Sequence, residues 1–232
     1  MLKEKLGVII AAGGSSQRYG DADKLTEMLD GIPVFAHSIK KFAAVIPGGS
    51  IVVAVHRDNI ERYKLLAEKY LPGVFLHWTA GGATRTQSVK NALAMLPESC
   101  SLVAVHDAAR PLATADLLLR VAEAAERCGG AIAASKVVDS LKLGDDGNMI
   151  LRSVPREAVW RAETPQVFNV EKFKKAYAAL GDELCTDDAE VMKLAGCQVA
   201  LVETGFPNFK LTAPADMELL KICVKIGGAD VQ

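Results

Sequence analysis

The chain has almost no excess of charge of either sign: 27 lysines and arginines stand against 28 aspartates and glutamates in 232 residues. That balance excludes a general attraction to nucleic acid or to an anionic membrane, so an anionic ligand has to be held by cations clustered locally. Cysteines are few. The five, at positions 100, 128, 185, 197 and 223, are widely spaced and form no C-x-x-C pair, which excludes the usual zinc and dithiol motifs. They read as small buried residues of a reducing cytoplasm. Long hydrophobic runs are missing as well: none approaches membrane-spanning length, and the apolar run in "MLKEKLGVIIAAGG" is too short for a signal peptide and ends in a polar loop. No internal repeat and no low-complexity linker interrupts the chain.

What is present is a chain half hydrophobic and a quarter charged, long enough for one sizeable core and short for two. A single domain over 1–232 is expected. Short apolar runs, "LGVIIAA", "SIVVAVH", "GVFLHW", "SLVAVHDA" and "GAIAASKVV", alternate with helical periodicity over 34–44, 59–69, 84–96 and 114–127. Continuous apolar runs suit strands buried on both faces, and their alternation with helices argues for a mostly parallel α/β sheet. In such sheets ligands gather beyond the carboxyl ends of the strands, so the loops after the first, third and fourth runs are the places for chemistry. The rhythm breaks over 139–168, where short alternating stretches flank "GDDGN"; this predicts a projecting hairpin arm that packs against a second subunit. Helices are expected again over 170–180 and 187–195 and from 214, with strands over 198–203 and 209–211.

The first loop, "VIIAAGGSSQRYGDADK" (8–24), joins a strand to glycines and cations but obeys no familiar fingerprint. A dinucleotide motif starting at Gly13 needs glycines where Ser15 and Arg18 stand, and a P-loop fails on spacing and on the missing Lys-Ser/Thr. What remains is a run of backbone N–H groups able to point at phosphate oxygens, with Arg18 and Lys24 behind it. The plain alternative is a tight solvated turn with two surface charges.

Three other segments bear on the choice. "GGATRTQSVKNAL" puts small residues, Arg85 and Ser88 at a helix start, where free N–H donors favour anions; the alternative is an ordinary glycine turn capped by Thr84. "VAVHDAARP" ends a strand in Asp107 and Arg110, and an Asp there suits Mg²⁺ or a ribose hydroxyl, against a simple Asp107–Arg110 ion pair. His106 is expected to hydrogen-bond within the fold, since no other soft metal ligand is near it. "PNFKLTAPADM" places Lys210 in an apolar stretch where its ammonium has to reach water or an anion, with Thr212 as the expected cap of the last helix.

Together "AAGGSSQRYG" with Lys24, "GGATRTQSV", "VHDAARP", "TPQVF", "TDDA" and "NFKLT" resemble, in order and spacing, the 2-C-methyl-D-erythritol 4-phosphate cytidylyltransferase family of the non-mevalonate isoprenoid pathway, from about residue 6 to 217. The resemblance implies an α/β, Rossmann-like nucleotidyltransferase fold, a mostly parallel twisted sheet flanked by helices with a projecting β-hairpin arm, and a cytoplasmic homodimer built through that arm. It implies an enzyme that transfers CMP from CTP to methylerythritol phosphate with Mg²⁺ or another divalent metal. By that likeness Ala11, Ala12, Gly13 and Gly14 line the nucleotide site, Arg18 and Lys24 hold the triphosphate, and Gly82, Arg85 and Ser88 sit by the cytosine. Asp107 lies near the ribose and the metal, which is otherwise held through the CTP phosphates, and Lys210 approaches the α-phosphate. Arg110 holds the second substrate or organises the site; Ser140 and Arg156 on the arm reach the methylerythritol phosphate of the neighbouring subunit, with Thr164 and Thr186 nearby. Ala83, Ser140, "DADK" and Phe209 depart from the commoner residues. The competing readings are a cytidylyltransferase for another polyol phosphate, such as ribitol 5-phosphate, and a CTP-binding module without turnover.

Overall fold

The computed structural model describes residues 2–14, 19, 23–180 and 185–229. In chain order its strands are β1 (Leu6–Ala12), β2 (Met28–Leu29), β3 (Ile32–Pro33), β4 (Ile51–Val55), β5 (His77–Ala80), β6 (Leu102–Asp107), β7 (Gly130–Lys136), β8 (Leu141–Gly144), β9 (Ile150–Val154), β10 (Trp160–Asn169) and β11 (Ala200–Glu203). The α-helices are α1 (Val34–Ala43), α2 (Ile60–Tyr70), α3 (Arg85–Leu93), α4 (Ala115–Cys128), α5 (Val170–Ala179), α6 (Asp188–Leu194) and α7 (Ala215–Ala229).

Seven strands form one sheet in the order β11-β7-β10-β6-β1-β4-β5, parallel except for β10, which runs antiparallel between β6 and β7. The period of two along β1 sends Val8 and Ile10 into one core and Ile9 into the other, so apolar residues are needed on both faces and the run is unbroken. Helix α4 seals one face with Leu117, Leu118, Val121 and Ala125, each fully or nearly fully buried and worth about 1.5–3 kcal/mol for a leucine or valine. Its ends are written in the sequence: the Thr114 hydroxyl accepts from Leu117 N, and Gly129 closes the helix at φ +90°, where an added side chain would be strained.

Four expectations are corrected. The run 73–78 does not become a strand as a whole; pairing with β4 begins at His77, because Val74 N bonds to Leu71 O in a turn and Gly73 sits at φ +78°. Of the segment 139–168, only β8 and β9 form the projecting hairpin, while β10 is a strand of the main sheet. Residues 209–211 form no strand; Leu211 N bonds to Ala109 O without a ladder. Thr212 does not cap α7: the Asp216 carboxylate instead accepts from Thr212 N and Ala213 N. The short β2–β3 hairpin was not foreseen; it turns through Asp30 and Gly31, both at positive φ.

Candidate active site

The carboxyl ends of β1, β4, β5 and β6 open on one cavity of about 410 Å³, lined by Ala11, Gly13, Gly14, His56, Gly82, Ala83, Thr84, Arg85, Ser88, Asp107 and Lys210. Three pieces of the fold build it. The first is the exit from β1, fastened to the next strand by Ala108 N donating to Ala11 O at 3.1 Å. The second is the start of α3: the Thr84 hydroxyl accepts from Gln87 N, while Ser88 Oγ accepts from Gly82 N at 3.0 Å and donates to Thr84 O at 2.9 Å. Ser88 thus holds the glycine turn in shape from beneath. The third is the crossing segment before α7, which carries Lys210.

Asp107 is the hub. Lys210 Nζ lies 2.9 Å from its Oδ2, Arg110 Nε 3.7 Å from the same oxygen and Arg85 Nε 3.7 Å from Oδ1. Burial alone would raise the Asp107 pKa; the three cations, Lys210 foremost, overcome it and hold the carboxyl ionised well below the ordinary range. For Arg85 burial works against the charge, but Asp188 and Asp107 reverse that and raise its pKa. Asp188 takes up the Arg85 charge, so the cation left to meet an incoming anion is Lys210, which remains 42% exposed toward the cavity. The arrangement can accept a polyanion.

Behind Asp107 lies a relay of hydrogen bonds. Asp107 N donates to Thr164 Oγ1 at 3.0 Å, and because Arg110 O beside the ring's other nitrogen can only accept, the Thr164 hydroxyl donates to His106 Nδ1 at 3.1 Å. The other ring nitrogen then carries the proton and faces Ser38 Oγ at 3.0 Å and Arg110 O at 3.2 Å. Burial pushes the His106 pKa down to about 3, so the ring is neutral and internal, as expected from the sequence.

The structure therefore gathers Ala11, Gly13, Gly14, Gly82, Arg85, Ser88, Asp107 and Lys210 around one space. Ala12 points into the core. Arg18 lies outside the described residues. Lys24 reaches across to donate to Leu211 O at 2.8 Å and does not line the cavity. Arg110 is braced under the site, donating to Asn208 O at 2.7 Å, and Thr164 is buried in the relay. Thr186 donates to Glu190 Oε2 from both backbone and hydroxyl at the start of α6. Ser140 and Arg156 lie exposed at the arm, Arg156 donating to Val138 O, and neither lines the cavity.

Sequence reasoning missed His56 in the lining and Asp188 behind it. Asp188 is fully buried, accepts from Arg85 at 2.6 Å and bonds to the Tyr177 hydroxyl. The adjacent acids of "TDDA" were the one available signal. Among the described residues no group of three or more His, Cys, Asp or Glu could hold a metal by itself, and no helix is long and apolar enough to cross a membrane.

Residues 6–225 match the family described as IspD: 2-C-methyl-D-erythritol 4-phosphate cytidylyltransferase. A 2-C-methyl-D-erythritol 4-phosphate cytidylyltransferase of Dehalococcoides mccartyi is 34% identical over 226 residues, 97% of this chain and 99% of that protein. The protein of the same name from Endomicrobium trichonymphae is 37% identical over 222 residues, 95% of this chain and 99% of its own. The crystal structure of the Thermus thermophilus 2-C-methyl-D-erythritol 4-phosphate cytidylyltransferase superposes with a TM-score of 0.78 at 30% identity, covering 94% of this chain and 98% of that one.

Proposed function

The chain belongs to the 2-C-methyl-D-erythritol 4-phosphate cytidylyltransferase family, and from that premise we propose how its residues transfer CMP from CTP to methylerythritol phosphate and release pyrophosphate. The observation that carries the reading is the cavity in which Gly13 and Gly14, the start of α3, Asp107 and Lys210 meet. A triphosphate seated there would lie along the backbone of Gly13 and Gly14, with the base toward Gly82, Arg85 and Ser88.

The nucleophile is a phosphate monoester oxygen, already mostly dianionic at neutral pH with a second pKa of about 6. It attacks the α-phosphorus, a new P–O bond forms, and the bond to the β-phosphate oxygen breaks with its electron pair leaving on pyrophosphate. No general base is needed, and the neutral, buried His106 is not one. The work is positioning and charge neutralisation. At an effective dielectric near 20, a cation about 4 Å from an anion contributes on the order of 4 kcal/mol before desolvation. Lys210 supplies such a cation at the cavity; Lys24, bonded to Leu211 O outside the lining, would have to turn from that carbonyl to reach the triphosphate, to which Arg18 is also assigned. Asp107 holds the Lys210 ammonium aimed until the phosphates arrive.

Mg²⁺ fits the donor set in one way. Among the described lining residues Asp107 is the only carboxylate, which suits an ion held chiefly by the substrate's phosphates and water with at most one protein oxygen. Its charge would neutralise the triphosphate.

The homodimer is part of the same reading. The arm and its root expose Val138, Met149, Ile150 and Leu151, each more than 60% accessible, and a two-stranded ribbon has no core of its own. Arg156 and Ser140 would then serve the partner's pocket, with Arg110, Thr164 and Thr186 supporting the second substrate's place from within each subunit. The enzyme is placed in the cytoplasm, where widely spaced cysteines with no C-x-x-C pair stay reduced.

The test is pyrophosphate release by the purified protein with CTP and Mg²⁺, comparing methylerythritol phosphate with ribitol 5-phosphate. Release with the first alone is expected; release with ribitol 5-phosphate alone would replace the substrate, and silence with both would leave a CTP-binding module.

A further inference from the structure

The motif "TPQVF" brings Thr164 to the site, and the residue before it is buried beside it. Glu163 is an acid buried to 6% exposure on β10, inside the register shift between Ala162 and Gln166. A bulge of this kind re-aims side chains out of the regular ladder. Here it turns a carboxylate toward the segment that crosses the ends of the strands.

Each carboxylate oxygen is engaged. Oε1 accepts from Ser135 Oγ at 2.7 Å, and that serine in turn accepts from Arg161 Nε at 3.1 Å. Oε2 accepts from Thr204 Oγ1 at 2.9 Å and from Asn208 Nδ2 at 3.1 Å. The Asn208 amide spends its second hydrogen on Thr164 O at 2.9 Å. Both hydrogens thus face acceptors on β10, and a reversed amide would set its oxygen against them. The segment 204–211 is consequently pinned three times: at Thr204, at Asn208, whose carbonyl also accepts from Arg110, and at Leu211 through Ala109 O. Lys210 sits between the last two pins with its ammonium on Asp107.

We infer that Glu163 is a positioning residue for Lys210, acting through Asn208: it fixes the height at which the crossing segment passes over the strands and so the reach of the lysine into the cavity. A buried carboxylate costs desolvation that an apolar residue would avoid, and here its return is orientation of the chain two residues before the lysine. The inference rests on the role proposed for Lys210. Loss of the clamp should act on turnover, because a displacement of about 1 Å of a group acting on the transition state can cost roughly 10²-fold.

The experiment measures kcat and KM for both substrates by pyrophosphate release in the full-length protein and in Glu163→Ala, Glu163→Gln, Asn208→Ala, Lys210→Ala and the Glu163→Ala/Lys210→Ala pair. Glu163→Ala and Asn208→Ala are each expected to lower kcat by about 10- to 10²-fold with KM for CTP changed by no more than about twofold. Glu163→Gln should recover most of the loss, since its amide oxygen still accepts from Asn208. In the Lys210→Ala background Glu163→Ala should cost nothing further. If Glu163→Ala does not fold, Asn208→Ala carries the same expectation from the other side of the bond. Wild-type kcat in Glu163→Ala or Asn208→Ala, or a Glu163→Ala loss undiminished in the Lys210→Ala background, would overturn the inference. Near-normal turnover in Lys210→Ala alone would overturn the lysine's role and this inference with it.

Discussion

Lys24 donates to the carbonyl oxygen of Leu211 at 2.8 Å, fastening the chain just after the first glycine loop to the residue that follows Lys210. The two lysines come from opposite ends of the sequence and meet because β1 is central and the segment before α7 crosses over the strand ends. A cation from each end of the chain therefore stands at the same edge of the sheet.

Lys24→Ala and Lys210→Ala are each expected to lower kcat by roughly 10²–10³, the loss that follows removal of one electrostatic donor. Steady-state pyrophosphate release measures it. Near-normal turnover in both variants would remove these residues from the mechanism.

Arg156 tests the shared site. A mixture of Arg156→Ala and Lys24→Ala subunits should regain activity that neither variant has alone, because a heterodimer would contain one pocket with both residues. Heterodimers that form, as judged by differential tagging, yet stay inactive would refute the arrangement.

Asp188 is fully buried between Arg85 and Tyr177. Asp188→Ala leaves the guanidinium without its nearest anion, which for buried pairs costs 3–5 kcal/mol; since Arg85 is 31% exposed, the expectation is about 3 kcal/mol. In a domain of this size that lowers Tm by roughly 6–12 °C. Calorimetry of Asp188→Ala beside Tyr177→Phe, expected to lose about 1.5 kcal/mol as a hydrogen bond to a charged group, separates the ion pair from the hydroxyl.

His106 makes the fold sensitive to acid. Its folded pKa, about 3, lies below the unfolded value near 6.5, so as pH falls between these the unfolded chain binds a proton that the folded chain refuses. Stability should drop by up to roughly 1.4 kcal/mol per pH unit from this group. Asp107, whose pKa is lowered, adds a loss of the same sign only below the ordinary carboxylate range. Urea midpoints between pH 7 and 4.5 should fall less steeply in His106→Gln; equal slopes would show that the ring is protonated in the folded state.

The sheet was legible where burial on both faces demands unbroken apolar runs, as in β1, β4, β6 and β7. It was misread at β10, because the short alternating stretches read as a hairpin arm were carried through to 168 and took in a strand of the main sheet. The register shift before Gln166 accommodates that stretch, which no local pattern announces. At β5 the apolar run 73–78 was read as a strand, yet Phe75 is exposed and the edge strand begins only at His77. The short β2–β3 hairpin has too few residues for a period, though Asp30–Gly31 was a readable turn. In the site, the cavity's glycines and Asp107 follow from strand ends and loop composition, whereas Lys210 was placed there by the family resemblance. The bond from Arg85 to Asp188 spans 103 residues, and such long-range pairings leave no trace in spacing.

Much of the cavity wall is main chain and small residues: Ala11, Gly13, Gly14, Gly82 and Ala83. A compound that makes its contacts with these peptide groups would present little for resistance to act on, since substitution changes side chains and leaves the amides in place. Adding bulk is the remaining escape, and at Gly82 it is nearly closed, because a β-carbon would lie 2.1 Å from Gln87 Cγ and 3.2 Å from that residue's backbone carbon. Drug resistance at this wall would have to disturb the helix start that shapes the turn.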